Sequence, residues 1–229
     1  MAPADAIDSQ RARYVAIITD GNGRWARARG LPVNEGHYAG ADTVKARLRD
    51  AVELGIRELT VYSFSTENWS RPPEEVQGLM EMFDRRIAGE TPELHAEGVR
   101  MRFIGRREGL GEQLLQRMSW AEQLTAANER ITLFVAFNYG GRAEILDAAR
   151  AFAGGQEEDF RKLLYAPEMH DPDLIIRTSG ERRLSNYLLW QSAYSELVFR
   201  DELWPEFSRE ALEQSLAEFA ERRRRFGGR

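Results

Sequence analysis

Apolar and polar positions along this chain fall into two alternating regimes. Short runs rich in β-branched and aromatic residues read as strands: Tyr14 to Ile18, Glu58 to Phe64, Val99 to Ile104, Ile131 to Phe137, Asp173 to Arg177 and Tyr194 to Phe199. Between them lie segments with helical spacing. A short helix is expected over Arg24 to Arg29, stopped at Gly30, and a second begins near Gly36 after the Leu31-Pro32 break, holds Ala39 to Leu54 and ends at Gly55. Pro73, with Glu74 and Glu75, opens a long helix whose stripe is Val76, Leu79, Met80, Phe83, Ile87 and Leu94. Further helices are expected over Glu108 to Ala127, after Gly140-Gly141, and from Ser208 to Arg225, while residues 154 to 172 read as a trimmed connection. This alternation predicts one α/β domain spanning residues 1–229, with a central, mostly parallel six-stranded sheet flanked by helices and ligand sites along the strands' C-terminal ends. The long helix's stripe serves as core or as the wall of a hydrophobic channel between sheet and helices, for which Met80 and Met82 are adaptable linings.

The most pointed chemistry follows the first strand, in Thr19-Asp20-Gly21-Asn22-Gly23-Arg24-Trp25. Glycines at 21 and 23 allow a sharp turn with unobstructed N–H groups at a helix start, and Arg24 adds positive charge, so the loop suits a phosphate. Asp20 has the wrong sign for a phosphate, and its natural use is to hold a divalent cation shared with one. An ordinary turn, a P-loop and a dinucleotide site compete with a metal–diphosphate loop here. The P-loop lacks its Gly-Lys-Ser/Thr, and the dinucleotide fingerprint Gly21-x-Gly23-x-x-Ala26 needs an acid after a second strand, whereas Asp42 falls inside a helix. A second rich segment, Arg177 to Ser185, gathers three arginines, two serines and a glycine after a buried strand, enough forked donors for another phosphate. The polar, proline-closed stretch Ser65 to Pro73 suits a loop that orders over a ligand. Asn138-Tyr139-Gly140-Gly141-Arg142 is a helix cap or a further ligand contact.

Composition narrows the partners. A net charge of −5 argues against nucleic acid, and the absence of cysteine removes disulfides and thiolate chemistry and fits a reducing, cytoplasmic setting. The first dozen residues are polar, mixed in charge and expected to be flexible, with no signal-peptide core and no membrane-length apolar run anywhere.

Together, Asp20 to Trp25, Phe64 to Trp69 with Arg71-Pro72, Asn138 to Arg142, and Arg177 to Glu181 with Arg183, Ser185 and Glu196 resemble the cis-prenyltransferases, the undecaprenyl diphosphate synthase family, over nearly the whole chain. The resemblance implies a Mg2+-dependent homodimer that extends an allylic diphosphate with isopentenyl diphosphate, forming cis double bonds, with transient membrane contact on product release. It implies that Asp20 holds Mg2+ and that Gly21, Asn22, Gly23, Arg24 and Trp25 form the allylic diphosphate loop. His37 would stand near the phosphates, and Arg177, Arg183 and Ser185 would bind isopentenyl diphosphate. Glu196 would help hold the metal or order the neighbouring site. Phe64, Ser65, Glu67, Asn68, Trp69 and Arg71 would form or adjoin the lid, and the Arg225-Phe226-Gly227 tail would reach the partner's site. Asp20, Arg24 and Asn68 are the residues expected to carry catalysis, although Asn68, Ser65 and the diphosphate itself all stand as proton acceptors.

Three departures bear on substrate and product. Val33 stands where the family commonly has a second diphosphate-binding arginine, which predicts a weaker allylic grip or a different substrate. Ser63 is small where some short-chain members carry a plug, whereas Phe134, Phe137 and the short 154–172 segment would narrow the channel, leaving product length open. The alternatives are a non-catalytic partner subunit of the same fold, disfavoured by the presence of Asp20 and the arginine segment, and an irregular coupling of two allylic diphosphates.

Overall fold

A strand whose alternate side chains are all apolar needs cover on both faces, and this sheet has it. The computed structural model describes residues 11–222. Six strands, β1 (Tyr14–Ile18), β2 (Glu58–Ser65), β3 (Val99–Ile104), β4 (Ile131–Tyr139), β5 (Leu174–Arg177) and β6 (Glu196–Phe199), form one sheet in the order β3-β4-β2-β1-β5-β6. Every neighbouring pair is parallel, so the expected mostly parallel sheet is wholly so. The helices are α1 (Asn22–Ala28), α2 (Val33–Glu53), α3 (Pro73–Ala96), α4 (Glu112–Thr125), α5 (Gly141–Ala151), α6 (Glu157–Arg161) and α7 (Arg209–Glu221). No described helix is long and apolar enough to cross a membrane.

Val15, Ile17, Leu59, Val61, Leu133 and Val135 point to one face, beneath Leu48 of α2, Leu79 and Ile87 of α3, and Leu212 of α7. Ala16, Ile18, Tyr62, Phe134 and Ala136 point to the other, beneath Met169, Tyr187 and Leu188. Each such aliphatic side chain, fully buried, is worth about 1.5–3 kcal/mol. A bulge in β2 pairs Tyr62 with Ala136 and then Phe64 with Phe137, so Phe64 joins the first face together with Val61. Phe134, three residues before Phe137 on β4, takes the other face, so of the two phenylalanines expected near the channel only Phe137 is on the side of the large helices.

Element boundaries differ from expectation where caps decide them. Pro32, with fixed φ, occupies the cap position and lets α2 begin at Val33. Gly109 at φ 81° delays α4 to Glu112. Ser208 Oγ accepts from the Ala211 amide at 3.2 Å, as an N-cap should. Ala12, within the stretch expected to be flexible, is buried in the core. The Arg225-Phe226-Gly227 tail lies outside the described residues.

Candidate active site at the ends of the first and fifth strands

Strands β1 and β5 are neighbours, yet the chain leaving β1 runs toward β2 on one side and the chain leaving β5 runs toward β6 on the other. Divergence of this kind opens a crevice at the strands' C-terminal ends. Ile18 pairs with Arg177 at that level, and Asp20 follows Ile18 by two residues. The backbone around Asp20 is pinned by Thr178: the Asp20 amide donates to Thr178 Oγ1 at 3.0 Å, and that hydroxyl donates to the Asp20 carbonyl at 2.7 Å.

Gly21 takes φ 113°, and a Cβ there would lie 2.9 Å from Leu203 Cδ2, so only glycine makes this turn. The next residues are seated on glycines of α2. A Cβ at Gly36 would lie 2.1 Å from the Asn22 carbonyl oxygen, and one at Gly40 would lie 2.4 Å from Asn22 Oδ1. Because α1 is only seven residues long, guanidinium groups supply more of the site's positive charge than its dipole does.

Asp20 borders two polar clefts. One, of about 310 Å³, is lined by Gly21 to Arg24, Arg27, Val33, His37, Arg71 and Glu75. The other, of about 460 Å³, is lined by Tyr62, Ser65, Glu67, Asn68, Arg177, Ser185 and Asn186. Behind the first, a narrow apolar cavity of about 110 Å³ runs between α2, α3 and the sheet, past Gly40, Val44, Val61, Ser63, Met82 and Val135. The expected channel therefore has a counterpart between the sheet and the long helices, with Met82 rather than Met80 on its wall.

Arg177 is 4% exposed and donates to Asp20 Oδ2 at 2.9 Å, to Ser185 Oγ at 2.6 Å and to the Arg183 carbonyl. Arg24 lies 3.3 Å from the same Oδ2 and donates to Ser179 Oγ at 2.5 Å. Burial opposes ionisation of Asp20, but hydrogen bonds from Arg177 and Ser179, with the charges of Arg177 and Arg24, outweigh it and hold the carboxyl below its ordinary value. An ionised carboxylate whose two guanidinium contacts both fall on Oδ2, beside an anion cleft, is a fitting ligand for a hard divalent cation. His37 is largely buried against Glu75 at 3.4 Å, and burial, then the charge of Arg71, hold its imidazole below the ordinary value.

The stretch expected to act as a lid holds a 3-10 helix, Thr66–Ser70, where a loop was expected; Ser65 and Asn68 cap it reciprocally. Asn186 Nδ2 donates to Glu67 Oε1 at 2.8 Å, and Trp69 Nε1 donates to Asn138 Oδ1 at 2.8 Å. Asn138 is thus neither a helix cap nor a cleft residue: at φ 51° it clamps the 106–108 backbone through its amide and anchors Trp69. The cap of α5 comes from Asn186, whose Oδ1 accepts from the Arg142 amide at 2.8 Å.

Most expected site residues converge on Asp20, and five do not line either cleft. Phe64 is buried beneath the lid against Trp69 and Phe137, and Trp69 itself is held by Asn138. Trp25 lies under the Arg29 guanidinium, 4.4 Å from its centre. Arg183 is exposed and paired with Glu181 at 2.5 Å; its carbonyl, not its side chain, meets Arg177. Glu196 begins β6 opposite Leu174, at the far end of β5 from Arg177, and pairs with Arg222 at 2.9 Å, so the chain's own Glu196 is not beside Asp20. Thr178 and Ser179 fall inside the Arg177 to Glu181 motif without a role assigned to either from sequence, and Asn186 and Arg27 are site residues that no sequence motif singled out. Asn186, at φ 63°, and Ser179, at φ 76°, carry the signal, since asparagine and serine in polar loops serve such turns.

Two polar clefts sharing one carboxylate, with an apolar cavity behind, have the shape and charge that a phosphorylated head group on a hydrocarbon tail requires. A family model described as "Putative undecaprenyl diphosphate synthase" matches residues 18–227, and the chain belongs to that family of prenyltransferases. The chain is 51% identical over 225 residues to an isoprenyl transferase of Thermotoga maritima, covering 94% of this chain and 97% of the relative. It is 48% identical over 226 residues, 94% of this chain and 80% of the relative, to a trans,polycis-polyprenyl diphosphate synthase, (2Z,6E)-farnesyl diphosphate specific, of Thermobifida fusca. The crystal structure of lavandulyl diphosphate synthase from Lavandula x intermedia, in complex with dimethylallyl diphosphate, superposes with TM-score 0.92 at 34% identity, covering 96% of this chain and 99% of that one.

Proposed function

We propose that this prenyltransferase condenses isopentenyl diphosphate with an allylic diphosphate, with Mg2+ and cis double-bond formation, as a cytoplasmic homodimer. The observation that carries this reading is the position of Asp20 between the two polar clefts. The allylic diphosphate belongs over Gly21, Asn22, Gly23 and Arg24, with Arg71 and His37 beside it, because that cleft adjoins the apolar cavity through Thr19, Asn22 and His37. Dimethylallyl diphosphate in the Lavandula structure supports an allylic substrate for the fold. Isopentenyl diphosphate belongs at Arg177 and Ser185, in the cleft closed by Ser65, Glu67 and Asn68.

Asp20 would hold Mg2+, which when bound neutralises diphosphate charge. Departure of the allylic diphosphate leaves negative charge that Arg24, Arg71 and the loop amides receive; a charge pair at 4 Å is worth about 4 kcal/mol at an effective dielectric of 20. The isopentenyl double bond attacks the allylic carbon, and the new chain loses a proton toward Asn68, Ser65 or the released diphosphate. Glu67, joined to Asn186, would hold the lid over this cleft. Incubation of purified protein and Mg2+ with labelled isopentenyl diphosphate and C5, C10, C15 or C20 allylic starters tests the reading. Extension of at least one starter, with cis geometry by NMR, is expected; no transfer to any starter would refute it.

A further inference from the structure

Three guanidinium groups line the cleft assigned to the allylic diphosphate, and two are already engaged by the protein. Arg24 is held by Ser179 and Asp20, and Arg71 by Glu75 at 3.0 Å. Arg27 is exposed, and among the described residues its side chain has neither a hydrogen-bond partner nor an acid within ion-pair distance. Its Nη1 and Nη2 lie 3.5 and 3.6 Å from the point where a Cβ on Gly23 would stand, and Val33 Cγ1 lies 3.6 Å from that point. The fork therefore rests over the bare backbone of Gly23, beside Val33, with its donors uncommitted.

We propose that Arg27 is a substrate-binding residue that grips the allylic diphosphate and supplies the charge missing at Val33. This rests on the reading that the cleft takes that diphosphate. A guanidinium in the last turn of a short helix has no local acid to satisfy it, and phosphate oxygens at Gly23 match its planar donor pattern. Gly23 matters for the same reason: a side chain there would stand between the fork and the loop backbone. The weak allylic grip expected from Val33 is then not a property of this chain.

Calorimetric titration of the full chain with inorganic pyrophosphate and Mg2+ tests this, comparing wild type, Arg27→Ala and Arg29→Ala, with KM measured for both substrates. Arg29, tied to Glu206 at 2.5 Å and to Trp25, is a control of equal charge outside the cleft. Arg27→Ala should weaken pyrophosphate binding about tenfold, about 1.4 kcal/mol. It should raise KM for the allylic substrate about as much, leaving KM for isopentenyl diphosphate and the thermal midpoint unchanged, and Arg29→Ala should match wild type. Wild-type affinity in Arg27→Ala, equal rises in both KM values, or an equal loss in Arg29→Ala would each overturn the assignment. Failure of wild type to bind pyrophosphate or transfer prenyl units would instead bring down the functional reading beneath it.

Discussion

The Asp20 carboxylate and the Arg177 guanidinium meet at 2.9 Å across the ends of two adjacent parallel strands, joining the two clefts of the site through one ion pair. The buried partner is the cation, while the acid is 31% exposed and open to a ligand. Asp20→Asn keeps the shape and removes the charge. Turnover should fall at least about 10²-fold, the scale seen when one preorganised electrostatic contact is lost. Steady-state assays with a Mg2+ titration check this, and a variant within about twofold of wild type would contradict it.

The seating of α1 on α2 gives a second expectation. Gly36→Ala or Gly40→Ala forces a methyl group into Asn22 and should cost about 1–3 kcal/mol, displacing the diphosphate loop. Gly89→Ala, within α3 and with nothing within 4 Å of the added Cβ, should stabilise by about 1 kcal/mol. Urea unfolding of the three variants measures the contrast.

How much of this was legible in the sequence follows from the range of the interactions. Apolar runs gave all six strands, and the loop Asp20 to Arg24 was recognisable because its glycines, acid and arginine are contiguous. Parallel register was not legible: only the pairing of β6 with β5 shows that Glu196, opposite Leu174, stands at the end of the sheet away from this chain's own Asp20. The β2 bulge likewise hid which face Phe64 takes. Asn138 and Asn186 act across long separations, on Trp69 and Glu67, and no local pattern announces such pairings.

Acid should weaken the fold partly through His37. Its folded-state value lies below the unfolded value of about 6.5, so the unfolded chain binds the proton first and stability falls as pH drops through and below that value. His37→Gln removes this contribution. The stability difference between pH 7 and pH 5.5 should therefore be smaller in the variant than in wild type, as read by urea denaturation; an equal or larger difference would contradict it.

Cavity volume should govern product length. Ser63 lines the apolar cavity, so Ser63→Phe should shift products toward shorter chains in reverse-phase chromatography. Phe134→Leu, on the opposite face, should cost about 1 kcal/mol and leave the product distribution unchanged.

The most direct test of the central claim is a crystal structure with Mg2+, isopentenyl diphosphate and a non-reactive thio-analogue of the allylic substrate. The expected result has the allylic head group over Gly21 to Arg24, the isopentenyl head group at Arg177 and Ser185, and a metal ion on Asp20. Both head groups in one cleft, or a metal bound away from Asp20, would contradict it.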